Sequence, residues 1–462
     1  MGQSYVRLTT ICVVLAGATS IAAQKVTPAA EWKAGLAAVA VTPDEPIWMA
    51  GYANRNRPSE GKVQDLYARA LAVEDGGGGR AVLVSIEVLG LTRALADSIA
   101  GRVQQKHGLD PSRLFLLSTH THTGPVLQDA LRGSYELDPE QSARVEAYTR
   151  RLQDQVVDAV GRALASMSPA HLAFGTTQAT FGVNRRVPSE RGFVFGVNPN
   201  GPAHHEVPVL RITSPDGQVR GLVFGYACHN TTLTGDFYQI SGDYSGFASA
   251  ELERMYPKSV ALFVMGAGAD INPEPRGTLE HARTHGETLA RAVDGLVRGS
   301  LTPVAGRLAV RTRSLDLPLT VPSAEELRRR STGDNRFRER HAARTLDRIN
   351  RGELRTTVPY RIAGLRLGRL SMIALPGEVV VDYVLRLKRE HERDPLWVAA
   401  YAHDVPAYIP SERILREGGY EADFSMIYYD QPGPFAPGLE DKIVTAVHDL
   451  LKAIASDPVR SR

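Results

Sequence analysis

Short apolar runs alternate along the chain with segments in which apolar residues recur at helical spacing. Residues 81–86 and 113–118 are almost wholly apolar and are bounded by glycine or polar residues, which is typical of buried strands. Between them lies a predicted helix whose apolar stripe is Leu95, Ile99 and Val103. The pattern in this region therefore predicts strand, helix and strand.

Capping residues mark where several helices begin or end. Gly108 ends the first helix, and Asp138 before Pro139 opens a second. Ser323 and Glu326 form a capping box at the start of a helix rich in arginine. The residues of the second helix predicted to face inward are Val145, Tyr148, Leu152, Val156 and Val160. Two further helices are predicted over residues 278–297 and 440–454.

Further strands complete the pattern. Residues 206–213 and 218–228 flank Pro215-Asp216-Gly217, a turn sequence that predicts a β-hairpin. The remaining predicted strands cover residues 259–265, 368–375 and 396–401. No internal repeat or long linker interrupts this order. The sequence therefore predicts an α/β fold with mixed β-sheets layered with helices, in a single large catalytic domain over residues 24–462.

The first 23 residues differ from the rest of the chain. Arg7 precedes a mostly apolar stretch at 8–16, and small residues follow it. Positive charge, a short apolar core and small residues in this order are typical of a secretory signal peptide, and the stretch is too short to span a bilayer. We therefore expect export, to the periplasm or the medium. Cys12 lies in this segment, which leaves Cys228 as the only cysteine of the mature chain and excludes an internal disulfide.

The overall composition is that of an ordinary globular protein. Of 462 residues, 43% are hydrophobic, and 54 basic against 51 acidic side chains leave a net charge of +3, too small to indicate a nucleic-acid partner. Arginines are concentrated between residues 327 and 351, where they fit a solvated helix face. Peripheral contact with an anionic membrane is the alternative. No obligate protein partner is evident from the sequence.

The segment 120–125, His-Thr-His-Thr-Gly-Pro, follows the predicted strand 113–118. In an extended chain His120 and His122 point to the same side, and the end of a strand is where open α/β proteins commonly bind ligands. Neutral imidazole is the usual nitrogen ligand of zinc. A metal site is one interpretation of this pair, and two histidines hydrogen-bonded at the start of a loop is the other.

Three more polar residues follow apolar runs, namely His229, Glu378 and Tyr408. Each has an ordinary interpretation: a hydrogen-bonded structural histidine, an acid in the first turn of a helix, and a core or rim tyrosine. Together with His120 they would supply two nitrogens and two oxygens to a zinc ion if the strand ends converge.

Short segments spread over most of the chain carry a resemblance to a known family. They are, in order, 34–37, 42–43, 49–53, 68–71, 119–125, 184–185, 227–229, 241–243, 376–378 and Tyr408. In this set and order the sequence resembles the catalytic domain of the neutral (alkaline) ceramidase family, zinc-dependent amidases that release fatty acid from ceramide. The resemblance implies Zn²⁺ as cofactor and a lipid or another N-acyl molecule as substrate.

The resemblance also implies roles for individual residues. The zinc ligands it implies are His120, His229, Glu378 and Tyr408. His122 would exchange protons with the attacking water and the leaving amine, and Arg185 would hold a substrate oxygen. The segment 268–273 lines the active site in the family, and it would place Asp270 and Asn272 against the substrate.

The sequence departs from the family pattern in three places. Asn272 stands where the family has the serine of Gly-Asp-x-Ser-Pro, which excludes a serine nucleophile at this position. His403 and Asp404 stand where the family usually has asparagine followed by tyrosine, and the family's C-terminal immunoglobulin-like domain is expected to be missing. Two alternatives to a ceramidase therefore stay open: a zinc amidase or esterase of the same fold with another substrate, and a metal-stabilised binding protein without turnover.

Two pairs of residues in the sequence have alternative interpretations. His281 and His285 are four residues apart on a predicted helix, a spacing that can hold zinc, but no glutamate accompanies them and their neighbours favour an ordinary amphipathic helix. Arg185 has an alternative as a surface ion-pair residue, and Arg186 beside it could be confused with it.

Overall fold

The structure, a computed structural model, describes residues 1–3, 32–190, 192–333, 335–392 and 394–456. The predicted signal peptide at residues 1–23 lies outside the described residues except for its first three. Cleavage and export therefore stay predictions.

Strands outnumber helices in the described part of the chain. The strands are Trp32–Ala40 (β1), Tyr67–Glu74 (β2), Arg80–Ile86 (β3), Leu114–Ser118 (β4), Ser168–Gln178 (β5), Gly182–Ser189 (β6), Gly192–Asn198 (β7), Glu206–Thr213 (β8), Val219–Tyr226 (β9), Val260–Met265 (β10), Ile271–Pro273 (β11), Thr302–Val304 (β12), Leu308–Pro318 (β13), Thr357–Leu367 (β14), Leu370–Ala374 (β15), Glu378–Val379 (β16), Leu396–Ala399 (β17) and Tyr408–Ile409 (β18). The α-helices are Arg93–His107 (α1), Pro139–Ala165 (α2), Asp243–Met255 (α3), Leu279–Arg298 (α4), Ala324–Arg330 (α5), Arg336–Arg351 (α6), Val381–Glu390 (α7), Glu412–Glu417 (α8) and Leu439–Ala455 (α9). Among the described residues, no helix combines the length and the apolar character needed to cross a membrane.

The largest sheet contains nine strands in the order β10-β9-β8-β5-β1-β2-β3-β4, with β12 paired to β5. Along this order the pairs β3–β4 and β9–β10 are parallel and the others are antiparallel. The sheet folds over so that β10 packs across β2, β3 and β4, and the Ser85 hydroxyl donates to the Phe263 carbonyl across this contact. The loops that follow β4 and β9 therefore meet, and a parallel bridge between Thr121 and Asn230 joins them.

A second sheet, β13-β14-β15-β17, positions two further loops. The loops after its parallel strands β15 and β17 contain the short strands β16 and β18, which pair so that Glu378 lies opposite Tyr408. A bridge between Leu117 on β4 and Ala402 joins this sheet to the first. Four chain segments are thus brought to one edge of the molecule's core.

A third sheet, β11-β6-β7, carries Asn272 on β11 and Arg185 on β6. A β-bulge in β6 at Arg185 takes this residue out of regular register, and bulges of this kind re-aim side chains. The His229 amide donates to the Ile271 carbonyl at 3.0 Å, which fixes this sheet against the loop after β9.

The predicted helix ends and the predicted hairpin agree with the structure. Gly108 ends α1 in the left-handed conformation at φ 67°, and the Asp138 side chain caps α2 by accepting from the Gln141 amide. All five residues predicted to face inward from α2 are buried, and each such side chain contributes about 1.5–3 kcal/mol of hydrophobic stabilisation. Strands β8 and β9 form the predicted hairpin. The α/β fold class with mixed sheets is confirmed.

The arginine-rich segment forms two helices rather than one. Ser323 caps α5 as predicted, but this helix ends at Arg330 and α6 begins at Arg336. Ion pairs within the segment and with its neighbours are Arg329–Glu325, Arg330–Glu326, Arg344–Asp430, Arg348–Asp430 and Arg351–Asp347. These carboxylate partners fit a solvated helix face, and peripheral membrane contact stays a prediction.

Candidate functional site

His120 and His229 lie on the two bridged loops, and each is oriented by a backbone carbonyl. His120 Nδ1 lies 2.6 Å from the Leu89 carbonyl and His229 Nδ1 lies 3.2 Å from the Gly268 carbonyl. A carbonyl oxygen only accepts, so each Nδ1 carries a proton, and in the neutral form of each ring Nε2 presents a lone pair. This is the arrangement by which protein carbonyls usually orient metal-binding imidazoles.

Both lone pairs point at the Glu378 carboxylate. Oε2 of Glu378 lies 3.1 Å from His120 Nε2 and 3.0 Å from His229 Nε2, and the Tyr408 hydroxyl lies 3.4 Å from His229 Nε2. Three such atoms this close together need positive charge among them, either a proton on a ring nitrogen or a metal cation. Imidazole nitrogens with a carboxylate oxygen are a normal ligand set for zinc, so the residues fit a divalent ion.

The charge states at this point suit metal binding. Burial, followed by the positive charge of Arg185, lowers the pKa of His229 to about 4, so its imidazole is neutral at pH 7. Burial alone would raise the pKa of Glu378, but its contacts with His120 and His229 bring it well below the ordinary value. Metal ligands must be deprotonated in this way before they bind an ion.

His122 completes a buried group of three histidines with His120 and His229, whose ring nitrogens all lie within 4.8 Å of one another. Its Nε2 lies 3.1 Å from His120 Nε2, while its Nδ1 is buried without a hydrogen-bond partner. Burial, then the charges of His120 and His229, lower the pKa of His122 well below 6.5. A neutral imidazole at this place could act as a third nitrogen ligand or as the base that the sequence predicts.

Gly51 makes room for His122. It has a φ of 97°, and a Cβ there would lie 2.4 Å from His122 Nδ1. Both the backbone conformation and the close approach therefore require glycine.

Arg185 is buried, so it is not the surface ion-pair residue of the alternative interpretation. Its Nε donates to Glu421 at 2.9 Å, one terminal nitrogen donates to the Tyr408 hydroxyl at 3.1 Å, and the other lies 3.4 Å from Asn272 Oδ1. Arg186 points elsewhere, to Glu421 and to residues of the α8 region. Of the two adjacent arginines, Arg185 is therefore the one beside the candidate ligands.

A cavity of about 480 Å³ opens over these groups, within the usual range for small-molecule sites. We call it the catalytic cavity. Its lining includes the candidate groups His120, His122, Arg185, Asn272, Glu378 and Tyr408, a polar wall of Tyr52, Thr231, Glu274 and Arg276, and apolar or aromatic side chains at Leu89, Leu131, Phe195, Val197, Tyr420, Tyr428 and Tyr429. The lining thus combines polar groups with side chains suited to hydrocarbon.

Asp270 lies behind this cavity and does not line it. Its carboxylate accepts from the Val381 amide at 2.8 Å and from Asn184 Nδ2 at 3.0 Å, and burial raises its pKa to about 6. Its predicted contact with substrate stays a prediction, and the bonds it makes are structural. Asn272 does line the cavity.

Several residues of the site were missed in the sequence. Tyr429 donates to Oε1 of Glu378, the Tyr401 hydroxyl lies 3.4 Å from Oε2, and Glu421 orients Arg185. They lie in loops without a recognisable spacing, and no motif marks them.

In the helical histidine pair, His285 makes the contacts of a structural residue, which fits the interpretation that the sequence favoured. His285 Nε2 lies 2.7 Å from the Pro275 carbonyl and its ring stacks on Phe181. His403 is buried against Phe115. Neither residue lines the catalytic cavity.

Comparison with known proteins gives a consistent result. Residues 33–288 match the model of the family described as neutral/alkaline non-lysosomal ceramidase, N-terminal. The neutral ceramidase of Pseudomonas aeruginosa is 23% identical over 244 residues, 49% of this chain and 34% of that protein. The neutral ceramidase of Mycobacterium tuberculosis is 23% identical over 422 residues, 74% of this chain and 64% of that protein. The chain thus spans between 34% and 64% of the length of these curated relatives.

The fold is shared with a solved relative. The crystal structure of neutral ceramidase from Pseudomonas aeruginosa superposes with a TM-score of 0.71 at 18% identity, covering 94% of this chain and 76% of that chain. The family match includes His120, His122, Arg185 and His229, whereas Glu378 and Tyr408 lie beyond it. The resemblance seen in the sequence is confirmed: the chain belongs to the neutral/alkaline non-lysosomal ceramidase family.

Proposed function

We propose that this protein is a zinc-dependent hydrolase that cleaves the N-acyl amide bond of ceramide or a closely related lipid. The observation that carries the proposal is the convergence of two Nε2 lone pairs, from His120 and His229, on the Glu378 carboxylate at the floor of a cavity. The names of the curated relatives support ceramide as the substrate.

In this proposal the ion is held by His120, His229, Glu378 and Tyr408. Bound zinc supplies a Lewis acid for the amide carbonyl and lowers the pKa of water. Burial, and then the charge of Glu378, raise the pKa of the Tyr408 phenol well above its ordinary value, so this ligand depends on the nearby cations to lose its proton.

The chain's own residues then carry the protons and the charge. His122, neutral because its pKa is low, takes a proton from the attacking water and delivers one to the leaving amine. Arg185 faces the oxygen that gains negative charge, and its bonds to Glu421 and Tyr408 hold the guanidinium in place before the reaction begins.

Asn272 supports a second candidate function, hydrolysis of another amide or an ester by the same centre. Its Oδ1 accepts from the Thr231 hydroxyl at 3.3 Å and lies 3.4 Å from Arg185, inside the catalytic cavity. An amide there can hydrogen-bond substrate but cannot be a nucleophile, so its interaction with substrate differs in kind from that of the family's serine.

The test combines metal analysis with a substrate panel. We expect about one zinc per chain, and we expect His122→Ala to keep the zinc while losing about 10²–10⁴-fold in hydrolysis of a fluorescent N-acyl sphingosine, the contribution typical of a general base. His171→Ala, at an exposed position on β5, is the control and should leave both the zinc content and the rate of hydrolysis unchanged.

The ligand assignment and the substrate are tested separately. His229→Ala and Glu378→Gln should lose the zinc, and full metal content in both would refute the assignment. Hydrolysis of N-acyl amino acids or simple esters without ceramide would establish the second candidate. Zinc binding without turnover of any amide or ester would instead identify a binding protein.

A further inference from the structure

A second cavity of about 210 Å³ adjoins the catalytic cavity, and we call it the side cavity. Much of its lining is apolar, including Leu91, Ala130, Val358 and Val405. Smaller apolar cavities, of about 150 Å³, bind benzene in other proteins, so this volume is enough for hydrocarbon.

The two cavities share a wall made of Leu89, Leu131 and Tyr429, which line both. This wall begins at the candidate metal centre, because the Leu89 carbonyl accepts from His120 and the Tyr429 hydroxyl donates to Glu378. The side cavity is therefore one side chain away from the place where the scissile amide would lie.

Contacts connect the polar wall of the catalytic cavity to His122. Arg276 donates to the Tyr52 hydroxyl at 3.2 Å, and the Tyr52 ring lies 5.0 Å from the His122 ring. Arg276 thus reaches the candidate centre through Tyr52 and His122, whereas Tyr429 contacts Glu378 directly. An amphipathic substrate bound across the centre would place its head group toward Arg276 and its hydrocarbon toward the shared wall.

Part of the lining of the side cavity is polar. Arg93 lies 3.6 Å from Asp404 there, and Arg355, Asp129 and Gln431 also line the cavity. Apolar side chains therefore make up only part of the lining, which limits the length of chain that gains from burial.

We propose that the side cavity receives the acyl chain of the substrate beyond its first carbons. This inference rests on the proposed function, and it adds a length preference on the acyl side. Each methylene that becomes buried is worth about fourfold in binding, so kcat/KM rises steeply with acyl length and then levels off once the apolar part is filled.

The experiment uses one fluorescent amine acylated with chains from acetyl to hexadecanoyl. Ala130→Phe and Val405→Phe each fill the side cavity without touching the candidate ligands, and Ala453→Phe, at a half-buried position on α9 that lines neither cavity, is the control. Wild type and control should show the rising profile. In both filling variants, kcat/KM should fall tenfold or more for substrates with long acyl chains and less than twofold for the acetyl substrate. Thermal unfolding of each variant verifies that it is folded.

Several outcomes would overturn the assignment. One is a dependence of kcat/KM on acyl length that neither filling variant changes. Another is an equal loss of kcat/KM at every acyl length. The third is a kcat/KM that depends on the length of chains attached to the amine and not on acyl length. If the wild type hydrolyses none of the amides, the proposed function fails and calorimetric binding of dodecanoate against acetate replaces turnover. Weaker dodecanoate binding in both filling variants, but not in the control, would then support the side cavity on its own. Unchanged binding would refute it.

Discussion

Single residues outside the candidate ligand set determine the geometry of the centre. Tyr429 occupies Oε1 of Glu378, which leaves Oε2 to face the two imidazoles, and carbonyls of Leu89 and Gly268 fix the rings. Outer contacts of this kind orient ligands and keep them deprotonated. More residues than the four candidate ligands therefore determine the geometry of the centre.

Tyr429→Phe tests this dependence. The variant keeps the ring in both cavities but removes the hydroxyl that donates to Glu378, so we expect zinc affinity to fall about 10–100-fold, the usual effect of losing an outer contact. The measurement is competition for zinc with a chelator of known affinity. Tyr428→Phe, which changes a neighbouring tyrosine of the same cavity, is the matched control. Equal affinity in the two variants would mean that Tyr429 does not orient the carboxylate.

The buried carboxyl of Asp404 leads us to expect that the free energy of unfolding depends on pH. Burial raises its pKa from 3.8 to about 6, although Arg93 and Arg361 act in the opposite direction. A carboxyl with a higher pKa in the folded state stabilises the fold below about pH 4, and this contribution is lost as the pH rises from about 4 to about 6. Asp404→Asn stays neutral, so its free energy of unfolding should exceed that of wild type at pH 7 by roughly 3 kcal/mol at most.

Urea unfolding of both proteins between pH 4 and pH 7 measures this difference. The free-energy advantage of Asp404→Asn should shrink toward zero at pH 4, while Asp316→Asn, at an exposed position on β13, should show no comparable trend. A constant difference across the range would show that Asp404 is ionised throughout.

At the scale of elements, the ends of helices could be predicted from the sequence, but the pairing of distant strands could not. Gly108, Asp138 and Ser323 act through their own helix ends, so the sequence alone revealed them. The pairing of Glu378 with Tyr408 depends on two short strands separated by α7 and β17, and nothing near either residue specifies it. The apparent alternation of strands and helices also concealed how many strands pair antiparallel.

As with the elements, the residues of the site that follow a local pattern could be predicted and the others could not. Each of His120, His229, Glu378 and Tyr408 stands out as a polar residue after an apolar run, and the family resemblance grouped them. Glu421 and Tyr429 come from loops whose position depends on the packing of the whole second sheet, so no local pattern could reveal them.

The approach of the loop around Gly51 to His122 can be tested by substitution. Gly51→Ala adds a Cβ 2.4 Å from His122 Nδ1, so we expect the imidazole to be displaced and hydrolysis to fall at least tenfold while zinc is retained. Gly217→Ala is a strict control, because Gly217 also has a positive φ, 88°, but nothing lies within 4 Å of the added carbon. Similar losses of activity in both variants would point to backbone strain rather than to crowding of His122.

At the scale of the whole molecule, the chain combines a family match over residues 33–288 with a fold shared over 94% of its length. The ligand positions proposed at Glu378 and Tyr408 lie in the part that the family model does not reach. The fold comparison is thus what relates this region to a solved ceramidase.

Export is a prediction about the whole molecule. We expect the mature protein to lack residues 1–23, because this segment has the order of charge, apolar core and small residues that signal peptidases recognise. N-terminal sequencing of protein recovered from the periplasm or medium checks this. An intact Met1 in exported protein, or retention in the cytoplasm, would contradict it.

The bond between His229 and Glu378 spans 149 positions of sequence. An ion bound by both residues would act as a cross-link in a chain whose described residues form no disulfide, and closing a long loop removes entropy from the unfolded ensemble. Metal loading would then raise the melting temperature as well as supply catalysis, with a gain that grows with the logarithm of free zinc above its dissociation constant.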